Sequence, residues 1–205
     1  MNSGYITNGD SLEKYISKQL IHTIKCLSSI QTQWSVVDTI CSVSNLIIDA
    51  YRHGNKTLIA GNGGSAADAQ HLAGEFVSKF YFDRPGLPSI ALTTDTSILT
   101  AIGNDYGYER LFARQIEANG NKGDVFIGIS TSGNSKNIIE ALKTCKKKDI
   151  TTVGFTGASG GEMAALCSYC IKVPSTETPR IQETHIVVGH IICSIVEEAM
   201  FGKGF

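Results

Sequence analysis

The sequence predicts an α/β fold of the doubly wound type, a five-stranded parallel sheet with helices on both faces. Short apolar runs alternate with amphipathic segments from about residue 56 onward, as in parallel strands joined by helical crossovers. Hydrophobic residues make up 42% of the chain and charged residues 18%, which is enough apolar material for a sizeable core. A length of 205 residues fits one domain, so we expect a single domain over 1–205.

Two helices are predicted before the first strand. Residues 11–30 carry apolar side chains at helical spacing, and a second helix over 33–53 is followed by Gly54 as its C-terminal stop. A small α/β domain does not need so long an N-terminal segment to close its own core. We therefore expect residues 1–54 to serve in oligomerisation and residues 55–205 to form the α/β core.

Five strands follow, each a short apolar run. They are predicted at 57–61, 89–93, 125–130, 151–156 and 169–173. The helical patterns between and after them lie at 65–80, 97–103 with 108–118, 135–148, 160–166 and 180–201. No internal repeat or long linker interrupts this order, which supports one domain.

Charge and cysteine content exclude several classes of protein. Lysine plus arginine (18) nearly balance aspartate plus glutamate (19), so neither nucleic acid nor a membrane surface is an expected partner. The N-terminal sequence lacks the order of a secretory signal, and no apolar run approaches the ~18–20 residues of a membrane span. Six scattered cysteines suit a reducing compartment, and Cys167 and Cys170 fit the entry to a buried strand better than a redox or zinc motif. A cytoplasmic protein is expected.

A glycine-rich turn follows the first predicted strand and leads straight into a helix: Gly61-Asn62-Gly63-Gly64-Ser65. Glycines let the backbone approach an anion, and the N–H groups of the first helical turn supply donors. A simple tight turn is the structural alternative. A dinucleotide fingerprint fails because Ala66 stands where its third glycine would be, and a Gly-Lys-Ser/Thr sequence is absent, so no nucleotide cofactor is expected.

A hydroxyl-rich loop follows the third predicted strand and also opens a helix. It reads Ser130-Thr131-Ser132-Gly133-Asn134-Ser135. Ser135 alone would be an ordinary helix N-cap. Four hydroxyls beside helix N–H donors predict a phosphate-binding loop, and ligands of open parallel sheets bind at these strand ends.

Two predicted helices bring further polar side chains. His71 and Glu75 lie four residues apart and share one face of the helix after the glycine turn. The last helix, otherwise apolar, adds Gln182, Glu183, His185 and His190. Buried polar groups without partners cost ~1–3 kcal/mol each, so these residues need partners, but spacing does not choose between the two histidines. This set suits proton transfer on a phosphorylated small molecule, with or without a metal ion.

Four segments together resemble the phosphoheptose isomerases of the sugar isomerase (SIS) domain superfamily: residues 61–76, 99–116, 124–138 and 180–197. The match runs in register from about residue 33 to the end of the chain. Members of this family convert sedoheptulose 7-phosphate into D-glycero-D-manno-heptose 7-phosphate, the first step towards activated heptose. The resemblance therefore implies a ketose–aldose isomerase working through an enediol(ate).

The resemblance also implies roles for individual residues. The implied contacts with the sugar and its phosphate come from Asn62, Gly63, Gly64, Ser65, Glu75, Asn104, Asp105, Ser130, Thr131, Ser132, Ser135 and Gln182. One zinc ion per subunit would be bound by His71, Glu75, Gln182 and His190, and this favours His190 over His185. Glu75 is the candidate base and His190 the candidate acid. Family members are homotetramers whose sites draw on more than one subunit.

Two alternatives belong to the same superfamily. One is a non-enzymatic relative that binds the bacterial replication initiator and lacks an acidic residue at the position of Glu75. The presence of Glu75, Asp68, Gln182 and His190 favours the enzyme. The other is an isomerase for a pentose or hexose phosphate, because the residues leave the length of the sugar open.

Overall fold

A computed structural model describes residues 11–202; residues 1–10 and 203–205, which belong to the predicted ranges 1–54 and 55–205, lie outside it. The strands are β1 (Thr57–Gly61), β2 (Ser89–Ala91), β3 (Val125–Ile129), β4 (Thr151–Thr156) and β5 (Tyr169–Lys172). The helices are α1 (Leu12–Thr32), α2 (Trp34–Arg52), α3 (Gly64–Val77), α4 (Thr96–Tyr106), α5 (Leu111–Asn119), α6 (Lys136–Lys147), α7 (Met163–Leu166) and α8 (Thr178–Phe201), with a 3₁₀ turn over Tyr108–Arg110.

The five strands form one parallel sheet in the order β2-β1-β3-β4-β5, which confirms the predicted fold class. The chain order reverses between β1 and β3, the point where ligands bind in open α/β sheets. These two strands pair along their full lengths, and Gly61 stands opposite Ile129. The glycine turn and the hydroxyl loop therefore leave the sheet side by side.

Apolar side chains cover both faces of the sheet. On β1, Ile59 belongs to a core cluster with residues of α1, α2, α3 and α8, whereas Leu58 belongs to the cluster on the opposite face, with residues of α4, α5, α6 and α7. On β3, Ile127 and Phe126 divide between the two faces in the same way. Since successive strand side chains point to opposite faces, a sheet covered on both sides requires continuous apolar runs. Helices α3 and α8 share one face, so side chains from both can meet at its edge.

The two N-terminal helices differ in their packing. Helix α2 contributes Val43, Ile47 and Ile48 to the same core as β1 and β3, so this helix is needed to cover the sheet. Helix α1 buries only Cys26 and Ile30. Most of its other large apolar side chains are exposed, namely Leu12, Tyr15, Ile16, Leu20, Ile21 and Ile24. The expectation that both helices exist chiefly for contacts between subunits therefore fits α1 better than α2.

Several elements are shorter than predicted at one end. Strand β2 stops at Ala91 instead of residue 93. Helix α7 begins at Met163 instead of residue 160, because Gly160 and Gly161 have φ of 74° and 53°, outside the right-handed helical region. Helix α3 ends at Val77 instead of residue 80, and the backbone that follows is held by side chains from elsewhere in the fold.

Helix α8 is long and apolar enough to cross a membrane, with a mean hydropathy of 1.4 over an 18-residue stretch. This corrects the expectation that no apolar run approaches that length. Its side chains pack within the core with α2 and α3, including Ile181, Val188, Ile192, Cys193 and Val196. It is a core helix, and burial accounts for its apolar character.

Candidate active site

The glycine turn closes tightly at the N-terminus of α3. Gly63 has φ of 56°, a conformation that side chains disfavour, and α3 starts at the next residue. A Cβ at Gly64 would lie 2.6 Å from Nε2 of Gln182, so the amide of Gln182 on α8 rests directly against the turn. Two of the predicted contact residues from distant parts of the chain are thus neighbours.

Asn62, in the glycine turn, forms a reciprocal amide pair with Asn137 on α6. Asn62 Nδ2 donates to Asn137 Oδ1 over 3.0 Å, and Asn137 Nδ2 donates to Asn62 Oδ1 over 2.8 Å. The hydroxyl of Tyr108 also donates to Asn62 Oδ1, over 3.0 Å. Neither Asn137, which is buried, nor Tyr108 was predicted as part of the site. The pair ties the loop after β1 to the helix that follows the loop after β3.

The hydroxyl loop is held by its own side chains and by the loop after β4. Ser130 and Ser135 share a hydrogen bond of 2.9 Å between their hydroxyls, and Ser132 Oγ accepts from the Asn134 backbone over 3.2 Å. Gly133 has φ of 68° and contacts the backbone of the 160–161 turn so closely that any side chain would overlap it. The four predicted hydroxyls thus lie together at the start of α6, at the edge expected for a phosphate.

His71, Glu75 and His190 form one cluster, in which one ligand atom from each lies within 4.8 Å of the others. His71 Nε2 is 3.2 Å from Glu75 Oε1 and 2.9 Å from His190 Nε2. Asp68, one turn earlier on α3, has a buried carboxyl oxygen without a hydrogen-bond partner among residues 11–202. Burial raises the pKa of Asp68, while the nearby His71 opposes that shift.

The close approach of two helices brings this cluster together. A Cβ at Gly189 on α8 would lie 2.5 Å from Leu72 Cδ2 on α3. Gly189 precedes His190, and Leu72 follows His71. A side chain at position 189 would therefore force the helices apart beside the two imidazoles.

The donor set fits a zinc ion. Two imidazole nitrogens and a carboxylate are standard zinc ligands, and the two Nε2 atoms face one another as they would around a shared cation. Gln182, the fourth predicted ligand, lies about two turns before His190 on α8, with its amide at the glycine turn. The three remaining predicted ligands converge within one subunit.

The other candidate residues lie elsewhere. His185 is buried beside Phe155, with Nε2 3.3 Å from the Thr156 carbonyl oxygen, so His190 is the histidine of α8 that meets His71. Asn104 and Asp105 are exposed at the end of α4, and Asn104 Nδ2 donates to Asp105 Oδ1 over 2.8 Å. Ser65 is buried at the start of α3, which leaves Asn62, Gly63 and Gly64 as the accessible part of the turn.

A cavity of about 460 Å³ opens beside the glycine turn, between α3, α4 and α5. Its size is in the range of small-molecule sites. Its wall includes Asn62, Gly63, Thr93, Leu99, Thr100 and Tyr108. The turn therefore has open space on the side of α4, the helix that carries the predicted sugar contacts.

Comparison with known proteins agrees with this arrangement. The family model described as SIS domain matches residues 24–157. Phosphoheptose isomerase 2 of Campylobacter jejuni is 66% identical over 196 residues, 96% of this chain and 98% of that protein. The phosphoheptose isomerase of Aneurinibacillus thermoaerophilus is 65% identical over 194 residues, 95% of this chain and 98% of that protein.

A solved structure of phosphoheptose isomerase from Neisseria gonorrhoeae superimposes with a TM-score of 0.86 at 39% identity. The match covers 92% of this chain and all of that one. Identity at this level over nearly the whole length of both chains goes beyond a shared fold. The chain therefore belongs to the SIS domain family and, within it, to the phosphoheptose isomerases.

Proposed function

We propose that this protein is a phosphoheptose isomerase that converts sedoheptulose 7-phosphate into D-glycero-D-manno-heptose 7-phosphate. The observation that carries the proposal is the cluster of His71, Glu75 and His190 beside the glycine turn, in a chain 66% identical to a named phosphoheptose isomerase. The same high identity favours this enzyme over the non-enzymatic initiator-binding relative and over isomerases of shorter sugars.

The reaction requires a proton to move between adjacent carbons of the sugar through an enediol(ate). Glu75 is the base that removes the proton from the carbon beside the carbonyl group and returns it to the neighbouring carbon. His190 transfers a proton between the two oxygens, so that neither carries a full charge. The two side chains lie on facing helices and are close enough to act on neighbouring atoms of one substrate.

The substrate is held at its two ends. Ser130, Thr131, Ser132 and Ser135 bind the phosphate, with the N-terminus of α6 behind them. Asn62, Gly63 and Gly64 line the sugar, with the buried Ser65 behind them. Asn104, Asp105 and Gln182 contact its hydroxyls. The reciprocal pair of Asn62 and Asn137 supports this assignment, because it fixes the sugar end of the site relative to the phosphate end.

His71, Glu75 and His190, with Gln182, are the residues that would hold a zinc ion, one per subunit. Such an ion would supply a positive charge that polarises the carbonyl oxygen of the sugar. His71 is the residue whose role lies in this binding alone. Glu75 and His190 also transfer protons, and each offers the ion one ligand atom and keeps a second oxygen or nitrogen.

The proposal extends to assembly and location. The exposed apolar side chains of α1 support a homo-oligomer, a tetramer in our proposal, in which this helix packs against other subunits. Within residues 1–54, α1 then serves assembly while α2 also covers the sheet, and residues 55–205 form the α/β core of the same domain. Six free cysteines support a reducing compartment, the cytoplasm.

Incubation with sedoheptulose 7-phosphate, with and without a zinc chelator, tests the function. We expect the heptose 7-phosphate as product, loss of turnover with chelator and recovery when zinc is added back. Sedoheptulose itself, without phosphate, is the control for the phosphate loop and should react at least about tenfold more slowly. Turnover of a pentose or hexose phosphate in preference to the heptulose would contradict the proposed substrate.

A further inference from the structure

Glu197, near the end of α8, is a buried carboxylate with three donors. Its Oε1 accepts from the Phe80 N–H over 2.7 Å and from Arg84 Nε over 3.0 Å, and its Oε2 accepts from the Tyr81 N–H over 2.6 Å. The side chains of Arg84 and Glu197 are 2% and 1% exposed. Burial alone would raise the pKa of Glu197, but these hydrogen bonds and the guanidinium lower it, so the carboxylate is charged.

The same guanidinium also reaches the C-terminus of α3. Arg84 Nη2 donates to the carbonyl oxygen of Glu75 over 2.8 Å, and Nη1 donates to that of Phe76 over 2.7 Å. The last carbonyls of a helix lack partners within the helix, and a cation there also complements the helix dipole. One side chain thus binds the backbone of Glu75 and the carboxylate of Glu197 at the same time.

The two ends of this link carry the two proposed catalytic residues. Glu197 follows His190 by seven residues, about two helical turns, and so lies on the same face of α8. On α3 the link is made at Glu75 itself. We propose that Arg84 and Glu197 are positioning residues, which set the distance between Glu75 and His190 for metal binding and proton transfer.

This inference rests on the proposed function. Its test must distinguish a positioning role of Arg84 and Glu197 from a role in stability alone. The chain offers a matched control in Asp124. Its carboxylate also accepts from two backbone N–H groups, those of Lys56 and Asn121, and from one cation, Lys56 Nζ over 2.7 Å. Its side chain is likewise 1% exposed. It lies at the start of β3, at the opposite end of the strand from the hydroxyl loop.

The experiment compares Glu197→Gln, Arg84→Lys and Asp124→Asn in the full-length protein. Each variant is measured for zinc affinity by competition with a chromophoric chelator, for kcat and KM, and for stability in urea. Arg84→Lys keeps a positive charge but loses the planar guanidinium, whose several N–H groups bind two carbonyl oxygens and a carboxylate at once. We expect Glu197→Gln and Arg84→Lys to lower zinc affinity and kcat by about tenfold or more, with KM changed less than about threefold.

Asp124→Asn should lose stability as Glu197→Gln does, yet retain zinc affinity and kcat. The proposal is overturned if Glu197→Gln and Arg84→Lys bind zinc and turn over as the parent does, or if Asp124→Asn loses both equally. If Glu197→Gln does not fold, the zinc affinity and kcat of Arg84→Lys alone test the proposal. Failure of the proposed function gives a different result, because the parent protein would then show no heptulose isomerisation.

Discussion

Asn62 and Asn137 are joined by two opposed hydrogen bonds, which connect the turn after β1 to α6, the helix that follows the hydroxyl loop. Each amide both donates and accepts in this pair, which an ionised carboxylate or an alkyl side chain cannot do. The amide pair therefore sets the distance between the glycine turn and the hydroxyl loop, the proposed sugar and phosphate ends of the site, and has no proposed role in proton transfer.

Replacing Asn137 by aspartate should weaken both folding and catalysis. The carboxylate cannot donate to Asn62 Oδ1, and it places a buried charge beside an acceptor. We expect a loss of about 1–3 kcal/mol in the free energy of unfolding, measured in urea, together with a lower kcat/KM. Tyr108→Phe is the control, since it removes one exposed hydroxyl and leaves the amide pair in place. An Asn137→Asp enzyme with parental kcat/KM would argue against this coupling.

Glu75→Gln should abolish most turnover while the fold remains intact. The amide keeps the shape of the side chain but cannot take up a proton, so kcat should fall by about 10²–10⁴-fold. Circular dichroism and urea unfolding, both measured on metal-free protein, should match the parent. Glu140→Gln on α6, another partly exposed glutamate, provides the control for loss of a carboxylate. Substantial residual turnover in Glu75→Gln would remove Glu75 from the role of base.

Gly189→Ala should separate α3 from α8. The added methyl group overlaps Leu72, and overpacking of this kind costs about 1–3 kcal/mol of stability. We expect kcat to fall as well, because His190 moves with the helix. Gly74→Ala on α3 has open space around it and should be neutral or stabilising. Partial recovery of kcat in Gly189→Ala with Leu72→Ala would identify the contact, and its absence would point to another cause.

Stability should fall in mild acid because of His185. Burial lowers the pKa of His185 from 6.5 to about 4, although its hydrogen bond with the Thr156 carbonyl opposes the shift. The unfolded chain therefore binds a proton at this histidine below about pH 6.5, whereas the folded protein binds it only below about pH 4. As the pH falls from about 6.5 to about 4, the free energy of unfolding decreases. The loss from this group at about pH 5 is about 2 kcal/mol.

Urea unfolding at about pH 7 and about pH 5 measures this loss. His185→Gln should reduce the difference between the two values, whereas His53→Gln, at an exposed position on the surface, should leave it unchanged. An unaltered difference in His185→Gln would assign the acid sensitivity to other groups.

The apolar face of α1 should determine the oligomeric state. Leu20 and Ile24 are 60% and 61% exposed in the single chain, one turn apart on the helix. Replacing both by glutamate should lower the molecular mass measured by analytical ultracentrifugation, with the fold of each subunit retained. Lys25→Glu on the same helix tests for a general effect of charge and should assemble as the parent does. An unchanged mass in the double variant would place the interface elsewhere.

Strands and long helices could be predicted because their apolar runs are bounded by turn residues. The runs at 57–61 and 151–156 are the observed strands β1 and β4 without change. Helix α3 was predicted three residues too long, because the sequence 78–80 continues a helical pattern. In the folded protein the N–H groups of Phe80 and Tyr81 donate to the carboxylate of Glu197 instead of continuing the helix. This contact exists only in the tertiary structure.

The site could be predicted in part. His71 and Glu75 share a helical face by spacing alone, but the choice of His190 over His185 came from family resemblance, and the structure agrees by burying His185. Nothing in the sequence marks Asn137 as a residue of the site, since asparagine is common near a helix N-terminus. Glu197 can be noticed in the sequence, because a glutamate within an apolar helix needs a buried partner. The sequence does not reveal that this partner is Arg84.

The contact between His71 and His190 joins residues 119 positions apart in the chain. An unfolded chain cannot hold both imidazoles around one ion without closing a very long loop, so its affinity for the proposed zinc ion would be far below that of the native state. Zinc concentration would thus act directly on the population of folded molecules, by mass action. A cell short of the metal would then lose active enzyme twice, through empty sites and through a larger unfolded fraction open to proteases.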